Sequence, residues 1–186
     1  MTHFNRFLLS SGLVLGCAIL SPKQAHSQEN QLKRINLQWN SYQQLSNSNR
    51  PYIAYTAHQT THKYRATQNG NQLALKFIVG VVLDGKQSIV DPKRLAALNE
   101  ADQKSLLHHE QGHSDLAVIY GRILYKKLSA KSYSIKNFQK EVKEIYDNTM
   151  AELANLQARY DMETAHGEEK ELQDKWDLYF TKELKD

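Results

Sequence analysis

The chain has 186 residues, of which 40% are hydrophobic, and a formal net charge of +4 at neutral pH. This length and hydrophobic content suit one soluble globular domain. The charge is too small to indicate a nucleic-acid partner, because nucleic-acid-binding proteins concentrate many more Lys and Arg side chains on one face.

Residues 1–27 have the features of a secretory signal peptide. Arg6 provides the basic start, residues 7–20 form an apolar run, and Ala25-His26-Ser27 offers small residues for cleavage after Ser27. The apolar run is short for a bilayer, so we expect no integral membrane span in the mature chain. Cleavage removes Arg6 and Lys23 and no acidic residue, which lowers the net charge from +4 to +2.

Cys17 is the single cysteine, and it lies inside that segment. Cleavage therefore leaves residues 28–186, which we expect to form one domain without disulfides. The predicted location is the periplasm or the exterior of the cell. The alternative is a membrane-anchored lipoprotein, because residues 14–17 loosely resemble a lipoprotein box in which Cys17 carries the lipid.

The first half of the mature chain favours β-strands. Apolar and polar side chains alternate, and β-branched and aromatic residues are frequent, as in half-buried strands. Strands are predicted at residues 35–39, 52–67, 73–83 and 87–90, with turns at Asn69-Gly70 and Asp84-Gly85.

The second half has helical periodicity. Asn99 can cap the first helix, which continues towards Leu128. A second helix has one apolar face from residue 138 to residue 160, and Gly167 is placed to end it. A last helix over residues 172–184 should pack Trp176 and Phe180 against the rest. The sequence thus predicts an α+β fold, with a small, mainly antiparallel N-terminal sheet packed against C-terminal helices.

The first of these helices contains His109-Glu110-Gln111-Gly112-His113, the pattern His-Glu-x-x-His. On a helix the two histidines lie one turn apart on one face, so both imidazoles can bind one Zn²⁺ ion. Glu110 adjoins the first ligand and can act as general base on the water that the metal activates. The alternative is a pair of ordinary surface histidines.

A catalytic zinc ion usually has three protein ligands and one open position. Residues 160–167, at the end of the second helix, hold several potential donors. We predict His166 as the third ligand, because imidazole binds zinc better than a solvated carboxylate does. Asp161 and Glu163 are the alternatives, and helical spacing does not choose among the three.

Other polar residues receive a structural interpretation. We expect His108 to face solvent, and we expect His58 and His62 at the surface because their spacing in a strand does not bring them together for a metal. Asp115 either orients a ligand histidine or is simply solvated. Tyr160 lies on an apolar stripe, which favours a core tyrosine over a hydrogen-bond donor to an oxyanion.

Two helical blocks of the chain resemble a bacterial secreted family known as domain of unknown function 922. The similar residues are Leu106 to His113, Asp115, Ile119-Tyr120, Tyr160-Asp161, Thr164, His166-Gly167, Gln173 and Trp176, with Leu37-x-Trp39 resembling the opening strand. Members are predicted zinc-dependent proteases of zincin type. The resemblance implies a zincin-like helical half, His109 and His113 as ligands, Glu110 as the catalytic residue and a third ligand in the second block. Ser114 departs from the bulkier residue expected there.

The sequence therefore predicts an exported zinc-dependent metallopeptidase that acts on a peptide or protein substrate. One alternative is a non-catalytic envelope interaction protein with a structural zinc site, in which a fourth protein ligand excludes water. Another is a zinc amidase that acts on a cell-wall amide, which requires the same chemistry. The sequence leaves the substrate and the oligomeric state open.

Overall fold

The computed structural model describes residues 32–46 and 49–185. The predicted signal segment, residues 1–27, and with it the predicted lipid-bearing Cys17, lie outside the described residues. Within the part of the chain that the structure describes, no helix combines the length and the apolar character needed to span a membrane.

The fold is α+β, with strands in the N-terminal half and long helices in the C-terminal half, which confirms the predicted class. The strands are β1 (Gln43–Gln44), β2 (Ala54–Tyr55), β3 (His58–Asn69), β4 (Gln72–Leu83) and β5 (Ile89–Val90). The helices are α1 (Pro92–Ala96), α2 (Glu100–Ala130), α3 (Phe138–Thr164) and α4 (Lys170–Glu183).

Strands β3 and β4 form a long antiparallel hairpin, in which residues 58–69 pair in register with residues 72–83. The turn falls at Asn69-Gly70 as predicted, and Gly70 has a φ of 55°, a left-handed conformation that favours glycine. Alternate β4 side chains face the helices, and Phe77 is buried against Leu124 of α2. The alternating pattern of β4 thus predicted both the strand and its buried face.

The second sheet has three two-residue strands in the order β1-β5-β2. Strand β5 lies between a parallel neighbour, β1, and an antiparallel neighbour, β2. Val90 of β5 is fully buried in a cluster with Leu37, Tyr42 and Ala54, and Leu107 of α2 packs against that cluster. The small sheet is therefore fixed against α2 directly before the His-Glu-x-x-His pattern.

The predicted strand over residues 35–39 is wrong, because this segment has no ladder partner among the described residues. Its backbone bonds to a side chain of α2 instead: Gln111 accepts from the Leu37 N–H at 2.9 Å and donates to the Ile35 carbonyl at 2.8 Å. Leu37 is buried, whereas Ile35 and Trp39 are half-buried. The alternation therefore predicted burial correctly, but a glutamine side chain takes the place of a neighbouring strand.

Two helical predictions are confirmed. Asn99 caps α2, since its Oδ1 accepts a hydrogen bond from the Asp102 N–H at 2.9 Å. In α4 the side chains of Trp176 and Phe180 are buried, as the amphipathic pattern predicted. The C-terminal helix thus packs on the other two long helices through these rings.

Helix α3 ends at Thr164, three residues before the predicted stop at Gly167. Ala165, His166 and Gly167 follow with φ values of 45°, 56° and 90°. Left-handed backbone is uncommon for residues other than glycine, so Ala165 and His166 are strained. A hydrogen bond of 3.0 Å from the His166 N–H to the Asp161 carbonyl helps to hold this turn.

Candidate metal centre

Three potential metal-ligand atoms converge where α2 passes the end of α3. Asp161, in the last turn of α3, has its Oδ1 3.1 Å from His109 Nε2 and 2.9 Å from His113 Nε2 of α2. All three atoms lie within 4.8 Å of one another, so the group can hold a metal ion. Ligand atoms in a tetrahedral zinc site, about 2.0–2.1 Å from the ion, are about 3.3 Å apart. The two observed separations are close to that value.

The other nitrogen of each histidine is already engaged in a hydrogen bond. His113 Nδ1 bonds to Gln157 Oε1, and Gln157 Nε2 donates to the His113 carbonyl at 3.1 Å. The Thr164 hydroxyl donates to the Tyr160 carbonyl at 2.7 Å, so its oxygen accepts from His109 Nδ1 at 3.4 Å. Such bonds fix the neutral tautomer and leave Nε2 free as a donor to a metal.

The electrostatics of this group favour a positive charge between the three residues. Burial raises the pKa of Asp161, but the hydrogen bonds and charges of His109 and His113 outweigh burial and hold that pKa well below its ordinary value. Burial lowers the pKa of His113, but Asp161 and Glu110 raise it, and the net result lies above the ordinary value. The Asp161 carboxylate therefore faces both imidazoles in an arrangement that can attract a cation.

Tyr160 is a core residue, as its position on the apolar stripe predicted. It is 0% exposed, and its ring stacks on His109 with 4.7 Å between centroids. Its hydroxyl lies 3.0 Å from the His109 carbonyl and 2.9 Å from Gln173 Oε1. A Cβ atom at Gly112 would lie 2.2 Å from this hydroxyl, so the glycine permits the close approach of α3 to α2.

Glu110 is 4% exposed, and its environment includes residues that the sequence did not single out. Thr56 Oγ1 donates to Glu110 Oε2 at 2.5 Å, and Tyr42 Oη lies 2.5 Å from Thr56 Oγ1. Thr56 precedes Glu110 by 54 residues. Because no spacing rule joins a residue after a short strand to one in a helix so far away, the sequence carries no signal for this contact.

His166 and Glu163, two of the three candidates for the third ligand, lie outside the group of three. His166 Nδ1 is 3.4 Å from Asp161 Oδ1, but its side chain is 77% exposed and its ring centroid is 6.2 Å from that of His109. Glu163 instead accepts a hydrogen bond from the Trp176 indole at 2.9 Å. The structure thus brings Asp161 to His109 and His113, and it leaves His166 at the edge of the group.

The prediction for Asp115 is wrong, and the predicted surface position of His58 is only partly correct. Asp115 is 1% exposed and binds Arg34 through both oxygens, at 2.8 and 2.7 Å, instead of being solvated or orienting a ligand histidine. His58 is half-buried, with its Nε2 3.0 Å from Ser114 Oγ. Burial, together with the nearby His113, lowers the pKa of His58 to about 4. Both residues therefore fix the helix that carries the candidate ligands.

Two further histidines among the described residues lie apart from the centre. His62 is half-buried beside the ring of Tyr146, with 5.0 Å between centroids, so its predicted surface position is only partly correct. The side chain of His108 is 51% exposed, and its Nε2 lies 2.8 Å from Asp177 Oδ2. Neither histidine belongs to the group of three, as their spacing predicted.

Residues 23–167 match a family described as "Bacterial protein of unknown function (DUF922)". No curated protein and no solved structure matches the chain. The matched stretch contains the three convergent residues as well as Thr56, Glu110 and His166. Because this stretch is more than half of the 186 residues, the chain belongs to the bacterial family DUF922.

Proposed function

We propose that this chain is an exported zinc-dependent metallopeptidase that hydrolyses peptide bonds in a peptide or protein substrate. The proposal is carried by one observation, the convergence of His109 Nε2, His113 Nε2 and Asp161 Oδ1 on the helix face next to Glu110. Glu110 is buried, and a buried carboxylate is costly for a fold, which favours a chemical role for it. Export rests on the signal features of residues 1–27.

Zinc suits the donor set. Catalytic zinc sites commonly combine imidazoles and a carboxylate with one open position. Both histidines here bond to other side chains through Nδ1 and turn Nε2 towards Asp161. Two imidazoles and one carboxylate also suit iron(II). Elemental analysis of protein purified without chelator therefore identifies the metal, and we expect about one zinc per chain.

Glu110 has the role of a proton carrier in this proposal. When bound, zinc supplies Lewis acidity, which makes a water molecule more acidic and polarises the carbonyl of the scissile bond. Glu110 accepts a proton from the water as the water oxygen bonds to the carbonyl carbon. Glu110 then delivers this proton to the nitrogen as the carbon–nitrogen bond breaks. Its carboxylate is therefore regenerated in each turnover.

The test is hydrolysis of a diverse peptide library by zinc-loaded residues 28–186, with products identified by mass. We expect products that disappear when a chelator is added. Glu110→Gln should retain zinc but lower kcat by about 10²–10⁴-fold, the usual contribution of a general base. A Glu110→Gln variant that cleaves as fast as wild type would refute the assigned role. Cell-wall amides belong in the same panel, since products from them alone would indicate the amidase instead.

A structural zinc site in a non-catalytic envelope interaction protein is the second candidate. The observation that favours it is the 3.4 Å separation between His166 Nδ1 and Asp161 Oδ1, which would allow His166 to act as a fourth ligand. A fourth protein ligand would close the site to water. In the cobalt-substituted protein, added azide should change the visible spectrum of an open site and leave that of a closed site unchanged.

A further inference from the structure

Two hydroxyl groups link Glu110 to the small three-stranded sheet. Thr56 Oγ1 lies 2.5 Å from Glu110 Oε2, and Tyr42 Oη lies 2.5 Å from Thr56 Oγ1. Glu110 and Tyr42 are each 4% exposed, so both ends of this chain of hydrogen bonds are shielded from water. The Thr56–Glu110 separation lies in the range of a hydroxyl group that donates to an ionised carboxylate.

The direction of the two bonds follows from the number of protons. An ionised carboxylate can only accept, and a threonine hydroxyl has one proton to donate. Thr56 therefore donates to Glu110, and Tyr42 donates to Thr56. We infer that Thr56, supported by Tyr42, is a positioning residue that holds the Glu110 carboxylate in place for proton transfer. This inference rests on the proposed peptidase function.

The backbone on both sides of Thr56 is fixed by other contacts. Tyr55 pairs with Ile89 in the ladder between β2 and β5. Ala57 bonds through both its N–H and its carbonyl to the hydroxyl of Ser88, each at 3.0 Å, and Ser88 is 0% exposed. A group that is anchored in this way can orient a reacting side chain without losing conformational entropy at each turnover.

Tyr42 is held as firmly as Thr56. Its ring lies 5.3 Å from that of Trp39 and packs in the cluster that contains Leu37 and Val90. Burial and the nearby charge of Glu110 raise the pKa of Tyr42 above its ordinary value. Tyr42 therefore keeps its proton and donates a hydrogen bond to Thr56 Oγ1. The single proton of Thr56 is then directed at Glu110.

The hydrogen bond from Thr56 occupies Oε2 of Glu110 and leaves Oε1 to exchange the proton with water and with the leaving amine. The Thr56 proton stays on Oγ1 throughout. The hydroxyl therefore affects the position of the Glu110 carboxylate and does not take part in the proton transfer. Without this bond the carboxylate can rotate about its terminal torsions. A misplacement of about 1 Å in a reacting group can cost about 100-fold in rate.

The test compares Thr56→Val, which removes the hydroxyl and preserves the shape, with Thr56→Ser, which keeps the hydroxyl. We expect Thr56→Val to lower kcat by about 10- to 100-fold, with KM and zinc affinity unchanged, and Thr56→Ser to stay within about threefold of wild type. Tyr42→Phe combined with Thr56→Val should have the kcat of Thr56→Val alone, since Tyr42 acts through Thr56.

Thr149→Val is the matched control. Thr149 is 0% exposed in α3, and its hydroxyl donates to the Ile145 carbonyl at 2.7 Å. It lies 12 residues, or about 18 Å along the helix, before Asp161. Thr56 is half-buried, so this variant loses a more deeply buried hydroxyl far from the centre, and kcat should not change.

The outcomes separate this inference from the proposed function. A Thr56→Val variant with the kcat of wild type would overturn the inference and leave the peptidase intact. Equal losses of zinc affinity or of Tm in Thr56→Val and Thr56→Ser would also overturn it, by assigning Thr56 to the metal site or the fold. A crystal structure of metal-free Thr56→Val should show Glu110 in a changed rotamer. A wild-type chain that hydrolyses no peptide would refute the proposed function itself.

Discussion

Replacing Asp161 by Asn should weaken zinc binding far more than replacing His166 by Asn. Asp161 Oδ1 lies 2.9 and 3.1 Å from the two Nε2 atoms, close to the separation of about 3.3 Å between ligands of one tetrahedral zinc ion. The His166 ring centroid lies 6.2 Å from that of His109, whereas the His113 centroid lies 4.9 Å away. His166 is therefore less well placed to share an ion with the other two.

The size of the effect follows from the position of each group. Changing a residue that only orients a ligand lowers metal affinity by about 10- to 100-fold. Loss of a ligand should exceed that range, so we expect at least about 1000-fold for Asp161→Asn, or about 4 kcal/mol. For His166→Asn we expect no more than about 10-fold. Asn is the suitable replacement at position 166, because it tolerates the left-handed backbone there.

The assay is competition for zinc between metal-free protein and a chromophoric chelator, at fixed pH and salt. Circular dichroism of both variants checks that each is folded. If His166→Asn loses as much affinity as Asp161→Asn, His166 is itself a ligand and the reasoning from the distances is incomplete. If Asp161→Asn binds zinc as wild type does, the reasoning is refuted.

Two further predictions concern stability. Gly112→Ala should destabilise the fold by about 1–3 kcal/mol through overpacking, because the new Cβ would lie 2.2 Å from Tyr160 Oη; Tyr160→Phe should recover part of the loss in urea unfolding. Acidification of the metal-free protein from pH 7 to pH 5 should cost wild type about 2 kcal/mol more than His58→Gln. The pKa of His58 is about 4 when folded and about 6.5 when unfolded, so in this window mainly the unfolded chain takes up the proton and stability is lost as pH falls. Equal pH dependence would contradict that argument.

The parts of the fold that could be predicted from the sequence are those with local causes. The Asn99 side chain bonds to a backbone group three residues later, so the cap that starts α2 lies within one turn. Gly70 follows Asn69 at the tip of a hairpin whose alternating side chains set its register. The buried rings of α4 also follow from spacing along a single helix.

The parts that could not be predicted depend on contacts between distant residues. The segment over residues 35–39 has the alternation of a strand, but its backbone partner is the side chain of Gln111, which lies more than 70 residues later. Alternation indicates which side chains are buried and does not indicate what satisfies the backbone. In the same way, Arg34 determines the environment of Asp115 across 81 residues.

The residue that lies nearest the two histidines shows the same limit within the candidate site. A preference for imidazole over carboxylate is sound for ligands that are equally placed, but placement depends on where α3 ends. The left-handed turn at Ala165 and His166 ends the helix after Thr164, and alanine at its first position gives no signal for such a turn. Asp161, in the last helical turn, is the residue that reaches both histidines. A preference for imidazole therefore does not indicate which side chain the fold brings to the two histidines.

The candidate centre is assembled from both halves of the α+β fold. Helices α2 and α3 supply the three convergent donors, while the residue after β2 supplies the hydroxyl that contacts Glu110. His109 and Glu110 are thus adjacent in sequence but contact separate structural supports, the ring of Tyr160 and the hydroxyl of Thr56. Because Tyr160 stacks on His109 and Thr56 contacts Glu110, the spacing between a bound ion and this carboxylate would depend on how the sheet packs against α2. A change in that packing should therefore disturb proton transfer before it disturbs metal binding.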